Sequence, residues 1–383
     1  MKILWASNSP NVATGYGIPT RNLMPFILNA GHELAIQAMY GIQGGSVTYG
    51  DVMIYPAQGQ PYGIDTIGHH AKHFGAELVV TLMDNWVLPT DYHQQFKAKW
   101  LSWFPVDGSP APAASVLMAS KAEYPAVFSL DGVKEMRFAG ISDIIYLPYG
   151  IDCSVFYPGD RRKAKVDLGF NEDTFLVSTV AANRGFPSRK AFPEILMGFK
   201  AFAKDIPNAH LYLHTRAVPV TIQGVHLEPL IQNLNLGSRV TITDPINFAV
   251  GVPNEELLTL YQASDVMLLP SMGEGFGLPI AEAQACGCPV ITQACSSMTE
   301  LTINGIAITP LQPFWADGLN YWWSMPSVPA ITDALHSIYA IDAEQRERNA
   351  TMGINHFVDT YNYPVVWEKY WMPLLQRIEA ELW

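Results

Sequence analysis

The run Pro270-Ser-Met-Gly-Glu274-Gly275-Phe276-Gly277-Leu278-Pro279-Ile-Ala-Glu282 sets two carboxylates around a glycine-rich turn. An apolar run at 266–270 precedes it and a helical pattern at 279–285 follows, so the segment predicts strand, loop and helix. Pro279 suits a first helical turn, where its missing N–H is not needed. Gly275 and Gly277 let the backbone come close to a ligand, and the amides ahead of Pro279 can bind an anion or hydroxyls. Both carboxylates then stand at the carboxyl end of a strand, where open α/β sheets bind ligands. A carboxylate is a good bidentate acceptor for vicinal hydroxyls, such as those of a sugar ring or a ribose. Taken singly, Glu274 suits solvated surface and Glu282 a favourable charge near a helix N-terminus. With the glycines and the proline beside them, they point to ligand chemistry.

Holding such a loop takes a parallel sheet, and the chain carries the pattern for one. Short β-rich apolar runs alternate with helical patterns through most of the 383 residues, which predicts an α/β architecture. In the first half, strands are expected at 3–6, 34–38, 78–82, 100–104, 126–130 and 144–147, with a helix at 18–29 closed by Gly31. A Pro/Gly turn at 148–158 leads into Gly159-Asp-Arg-Arg-Lys-Ala-Lys165, which places the linker there and the basic run on a solvated face. The pattern restarts with strands at 175–180, 210–214, 240–243, 266–270 and 289–292. Helices at 192–204, 227–234, 255–262 and 279–285 alternate with them. Two such units look like twin doubly wound domains facing each other, with no short-period repeat. The tail from His356 to Trp383 is aromatic and helix-like. It is expected to cross back to the first domain, with an interface patch as the alternative and a membrane contact disfavoured for want of a Lys/Arg cluster.

Composition narrows the function classes. Hydrophobic residues make up 49%, enough for large cores and against wholesale disorder. Lys and Arg number 23 against 35 Asp and Glu, and a net charge of -12 argues against a surface built to neutralise nucleic acid. No apolar run reaches the ~18 residues that span a bilayer. The opening strand soon meets Asn8, Ser9 and Pro10, so no signal peptide is expected. Cysteines at 153, 286, 288 and 295 form no CxxC pair and no zinc spacing, and are expected as buried thiols in a reducing cytoplasm. His69, His70 and His73 could pair on a metal, but no third ligand is evident, and they are expected either on the surface or as supporting residues behind a site. Thr14-Gly15-Tyr16-Gly17-Ile-Pro19 follows the first strand. It fails as a dinucleotide fingerprint, because the third glycine would fall on Thr20.

The carboxylate segment resembles the E-x7-E signature of retaining glycosyltransferases of the GT-B fold, in glycosyltransferase family four. Pro148-Tyr-Gly-Ile-Asp152 with Phe156-Tyr-Pro158 resembles that family's entry into its second domain. The run 257–270, with Ala263 and Asp265, resembles its approach to the carboxylate loop. The resemblance implies that Glu274 contacts the donor sugar, helped by the amides of Gly275, Phe276 and Gly277 beside Leu278, and that Glu282 holds the ribose. It also implies an Arg and a Lys after the second domain's first strand, where Asn183-Arg184-Gly-Phe-Pro-Ser-Arg189-Lys190 stands. Such cations would neutralise charge growing on the diphosphate, Arg by a bidentate grip and Lys as a point charge. Arg184 and Lys190 are assigned these roles, with Arg189 the alternative second cation and Ala191 where the family usually has Gly. Gly15 and Gly17 resemble the glycine loop that faces the donor phosphates. Relatives place a His near the sugar in the first domain, where this chain offers Asp84, Asn85 and Trp86, and Asp107 in a second loop. Either Asp could orient or partly deprotonate an acceptor hydroxyl. Trp86 and Trp103 suit stacking on a sugar or core packing alike. His214, with Thr215 and Arg216, is expected to face the nucleotide.

The expectation is therefore a GT-B protein of α/β class, with two facing Rossmann-like doubly wound parallel-sheet domains. Residues 1–158 form the acceptor side, 159–355 bind the donor, and a 356–383 helical tail packs back on the first domain. The implied reaction is retaining transfer of a sugar from a nucleotide diphosphate sugar (UDP-, GDP- or ADP-linked) to an acceptor hydroxyl. No cofactor and no metal are expected, since no D-x-D triplet is present and Arg184 and Lys190 would serve in its place. A front-face path, in which the departing phosphate oxygen takes the acceptor proton, is implied, so no covalent nucleophile is named. The acceptor stays open among a glycan, a lipid-linked glycan and a small molecule, with nucleic acid disfavoured by charge. The alternatives are a same-fold nucleotide-sugar epimerase and a non-catalytic sugar-nucleotide-binding subunit. A cytoplasmic setting is expected, with contact at the inner membrane face and homo-oligomerisation left open.

Overall fold

The structure is a computed structural model that describes residues 1–185, 187–219, 224–245 and 253–382. Its chain divides into two units. The first comprises Met1–Gly150, Ala316–Tyr321 and Tyr363–Trp383, and the second Ile151–Trp315 and Trp322–Asn362. The division thus falls at Gly150/Ile151, at the start of the Pro/Gly stretch 148–158 rather than at the boundary after 158, and residues 356–362 stay with the second unit. Trp383 lies outside the described residues.

The first unit is built on eight strands: β1 (Lys2–Ser7), β2 (Glu33–Ala38), β3 (Val47–Tyr49), β4 (Val52–Pro56), β5 (Leu78–Leu82), β6 (Lys99–Phe104), β7 (Tyr124–Val127) and β8 (Ile145–Tyr146). They lie in the order β3-β4-β2-β1-β5-β6-β7-β8, and every pair is parallel except the β3/β4 hairpin. All five residues of β5 are buried, as expected of a strand covered on both faces. The strand expected at 126–130 instead ends at Val127. Ser129 caps the helix Leu130–Phe138 by accepting the Gly132 N–H at 3.0 Å, which turns the chain before Leu130. The aromatic tail supplies core. Trp371 is fully buried, with its ring 5.4 Å from Trp5 and 4.9 Å from Trp103. Trp103 is likewise buried and donates its indole N–H to the Leu147 carbonyl at 2.7 Å, so it is a packing residue and not a stacking platform.

The second unit carries a parallel sheet in the order β11-β10-β9-β12-β13-β14. Its strands are β9 (Phe175–Val180), β10 (Ala209–His214), β11 (Val240–Ile242), β12 (Val266–Leu268), β13 (Val290–Gln293) and β14 (Gly305–Ile308). The helix Phe192–Asp205 presents Phe192, Ile195, Leu196, Phe199 and Phe202 to the core beneath this sheet. Its i, i+3, i+4 and i+7 spacing is the apolar stripe that the sequence carries. A hairpin of β15 (Gln312–Ala316) and β16 (Tyr321–Met325) follows β14 and was not expected.

The basic run corrects an expectation. It forms the helix Arg161–Asp167, whose N-cap Asp160 accepts the N–H groups of Arg162 and Lys163 at 3.0 and 3.1 Å, and only part of it is a solvated face: Arg162 and Lys163 are exposed, but Lys165 is buried. Arg161 and Lys165, one turn apart on one face, both meet Asp265. Among the described residues no helix is long and apolar enough to cross a membrane.

Candidate functional site

Strand order decides where each unit can bind a ligand. In the second sheet β9 pairs with β10 on one side and β12 on the other, and the chain reaches these neighbours by opposite routes. Such a reversal opens a crevice at the carboxyl ends of the two strands. The loops leaving β9 and β12 are those that carry the cations and Glu274.

These loops are joined. Lys190 Nζ donates to Glu274 Oε1, and Arg189 Nη1 donates to the Gly273 carbonyl while lying 3.4 Å from Glu274 Oε2. The Met272 N–H also donates to the Arg189 carbonyl at 2.8 Å. Glu274 is only 6% exposed. Burial alone would raise its carboxyl, but Lys190 first, then Arg189, with a hydrogen bond from Lys190, outweigh it and hold the group at about 2. The carboxylate is therefore ionised at any working pH. Arg184 stands apart from this cluster. It is exposed, lies before the left-handed Gly185, and forms no ion pair among the described residues. Its neighbour Phe186 is outside the described residues. Ala191, at φ 57°, takes the left-handed conformation that favours glycine and so swings the chain from Lys190 into the next helix.

Two serines missed in the sequence shape the carboxylate loop. The Glu274 N–H donates to Ser296 Oγ at 3.0 Å, and the buried Ser297 hydroxyl lies 2.9 Å from the Glu274 carbonyl and 2.5 Å from that of Phe276. Ser296 itself holds a positive φ of 49°. The Phe276 ring is buried edge-on against Tyr361, which commits its side chain to packing. Gly277, at φ 108°, caps the helix Leu278–Ala285, with Leu278 buried and Pro279 in the first turn as the sequence predicts.

Glu282 stands on that helix, 5% exposed. Burial pushes its carboxyl up to about 7, and a hydrogen bond from Tyr261 Oη at 2.9 Å works against the rise. The two acids of the motif are thus driven to opposite ends of the carboxyl range by their surroundings, a mark of sites that divide roles between like groups. At the end of β10, burial lowers His214 to about 4, and its Nδ1 lies 3.3 Å from Thr243 Oγ1, so the imidazole is neutral.

The first sheet has its own reversal point at β1, flanked by β2 and β5. The loops after β1 and β5 meet through Tyr16 Oη, which donates to Asp84 Oδ2 at 2.9 Å. Burial, followed by Asp84, pushes the Tyr16 phenol well up, so it stays a hydrogen donor. The sequence alone gives Tyr16, between Gly15 and Gly17, no sign of this partner. Gly15 has open space around it, whereas a Cβ at Gly17 would fall 2.2 Å from the Val12 carbonyl. Asp107, half-buried, accepts from Tyr321 Oη at 2.7 Å. Trp86 is exposed. Asn85 is buried on the short helical turn Asn85–Val87 and donates from Nδ2 to the Ser115 carbonyl at 3.1 Å.

The histidine cluster is packing around Tyr55, whose ring stacks on His70 at 4.5 Å and whose hydroxyl meets His73 Nδ1 at 2.9 Å. His70 is buried, which removes the surface placement for it. No group of three or more His, Cys, Asp or Glu that could hold a metal occurs among the described residues.

Residues 226–317 match the family model described as glycosyl transferases group 1, a stretch that includes both Glu274 and Glu282. The D-inositol 3-phosphate glycosyltransferases of Mycobacterium bovis and Mycobacterium tuberculosis are similar, at 30% identity over 200 residues. That stretch is 51% of this chain and 38% of theirs, so well under half of those relatives' length is matched. Among solved structures, a sucrose-phosphate synthase from Thermosynechococcus elongatus superposes with a TM-score of 0.80 at 20% identity, covering 100% of both chains. The HepE protein of Anabaena, solved in complex with UDP-glucose, gives 0.73 at 14% identity over 98% of this chain and 100% of that one. The fold is accordingly GT-B, with two Rossmann-like parallel-sheet units.

Proposed function

We propose that the chain is a glycosyltransferase that moves a sugar from a nucleotide diphosphate sugar to an acceptor hydroxyl, with retention and without a metal. The observation that carries the reading is Glu274, buried and ionised between Lys190 and Arg189 at the reversal point of the second sheet. A carboxylate and two cations in one spot suit a substrate that is half polyol and half diphosphate. Glu274 would accept from hydroxyls of the donor sugar. Lys190 and Arg189, joined by the exposed Arg184, would take the charge that grows on the diphosphate as the glycosidic bond breaks. The amides of Gly275 to Gly277 would face the same anion, and Glu282 the ribose. The glycosidic carbon–oxygen bond breaks, the acceptor oxygen bonds to the same carbon on the same face, and its proton passes to the departing phosphate oxygen. The group 1 match over this segment and the UDP-glucose complex of HepE support this reading.

In the first unit, Asp84 held by Tyr16 is the proposed acceptor-side pair. Asp84→Asn is expected to lower kcat and raise the acceptor KM by about tenfold each, leaving donor affinity unchanged. Steady-state kinetics with each substrate varied in turn checks this. An unaltered acceptor KM would move the acceptor elsewhere.

The reading is tested by screening UDP-, GDP- and ADP-sugars for a rise in Tm, since a ligand of the native state stabilises it. The donor that binds is then followed for transfer, with the anomeric configuration of the product read by NMR. Glu274→Ala should lose about a hundredfold or more in transfer. If no donor raises Tm and none is consumed, the function proposed here falls.

A further inference from the structure

Tyr261 is a buried hydroxyl spent on a single carboxylate. It stands on the helix Asn254–Ala263 with no exposed surface, and its ring packs edge-on against Phe156 at 5.8 Å. Its Oη donates to Glu282 Oε2 at 2.9 Å. Glu282, unlike Glu274, pairs with no cation among the described residues. The other titratable groups facing this pair are thiols: Cys286 at the C-cap of the helix that carries Glu282, Cys288 just beyond it, and Cys153 near Cys286. Burial pushes the Cys286 thiol well up and those of Cys288 and Cys153 to about 12, so all three are neutral near pH 7. The Tyr261 hydroxyl is therefore the strong donor that favours the charged form of Glu282.

We infer that Tyr261 is a positioning residue that fixes one oxygen of Glu282 and leaves the other to accept the vicinal hydroxyls of the donor's ribose, so that nucleotide binding expels a proton from this acid. The inference rests on the donor reading given above. A diol that donates both hydrogens needs a carboxylate, because a protonated acid offers a competing O–H in place of a lone pair. Burial, even with the Tyr261 hydrogen bond working against it, leaves Glu282 at about 7, close to half-protonated near neutrality. Affinity should therefore rise as pH climbs through 7 and level off above it, where the free protein already carries the anion. Removing the phenol hydroxyl takes away a hydrogen bond to the charged form and shifts the rise to higher pH.

The experiment is calorimetric titration of the folded protein with UDP, GDP and ADP between pH 6 and 9. The wild type is compared with Tyr261→Phe and Glu282→Gln, and Tm is recorded for each. The nucleotide's own terminal phosphate titrates near pH 6, so Glu282→Gln supplies the baseline. Tyr261→Phe is expected to bind about tenfold more weakly at pH 7 and to recover by pH 9, with donor KM raised and kcat little changed. In buffers of differing ionisation heat, the wild type should release more protons on binding at pH 6.5 than Glu282→Gln does. That second measurement holds even if Tyr261→Phe fails to fold. Equal proton release by wild type and Glu282→Gln, or a Tyr261→Phe loss that is the same at every pH, overturns the inference while leaving nucleotide binding intact. Absence of binding by the wild type to all three nucleotides defeats the donor reading, and this inference with it.

Discussion

Lys190→Gln is expected to cut sugar transfer at saturating donor by about a hundred- to a thousandfold, the usual cost of losing a preorganised charge at a developing anion. The effect is large because Lys190 has two tasks. In the structure it neutralises a carboxylate that is almost sealed from water. In the proposed reaction it turns to the diphosphate as the leaving group gathers charge. Arg189 stays 3.4 Å from Glu274 in the variant, so the acid keeps one cation and the loop keeps its anchor at Gly273. The variant should accordingly fold, and its defect should lie in kcat more than in donor KM. Lys190→Arg should recover part of the rate, since it restores charge without the point-like geometry of the ammonium. Single-turnover measurements on a variant of unchanged Tm decide the matter. Wild-type turnover in Lys190→Gln would remove this side chain from the chemistry.

Some of this site was legible because its signals are local. Glycines, Pro279 and two acids within one short run can be interpreted without knowing what else is near. The positive φ of Gly277 and the helix start at Leu278 follow from those residues alone. The choice between Arg184, Arg189 and Lys190 was not local. It depends on which cation the left-handed Ala191 swings toward Glu274, a partner 84 positions away. Tyr16 and Tyr261 escaped for the same reason, since their carboxylates lie 68 and 21 positions off and a lone tyrosine in a helix or turn carries no sign of its partner. In the fold, strands such as β1, β5, β6 and β9 were legible as continuous apolar runs buried on both faces, whereas the parallel strands β4 and β14 were not expected, β14 because three of its four residues keep some exposure. The β3/β4 hairpin was not legible either, because β3 has only three residues and all are exposed. The residues of the β15/β16 hairpin are aromatic but lack the alternation that marks a half-buried strand.

Asp265→Ala is expected to destabilise the protein by about 3–5 kcal/mol, because it leaves a buried cation without its counter-charge. Lys165 is only 5% exposed and its Nζ lies 2.7 Å from Asp265 Oδ2. Arg161 and Arg346 approach the same carboxylate at 3.7 and 4.0 Å, so its removal also leaves three positive groups facing one another. The carboxylate further accepts the Leu176 N–H at 2.8 Å, and Arg346 donates to the Asp265 carbonyl at 3.1 Å. Asp265 thereby clamps the start of β12 to β9, the strands whose far ends carry Glu274 and Lys190. Asp265→Asn keeps a hydrogen-bond acceptor and loses the charge, so it should fall between wild type and Asp265→Ala. Adding Lys165→Met to Asp265→Ala should restore much of the loss, since an apolar chain of similar length no longer needs a partner. Equilibrium denaturation of the three variants checks each step. If the double variant is as unstable as the sum of its parts, the ion pair is not what holds β9 and β12 together, and the bonds that survive, from the residue 265 N–H to the Leu176 carbonyl at 2.8 Å and from the Arg346 side chain to the residue 265 carbonyl, must carry that task instead.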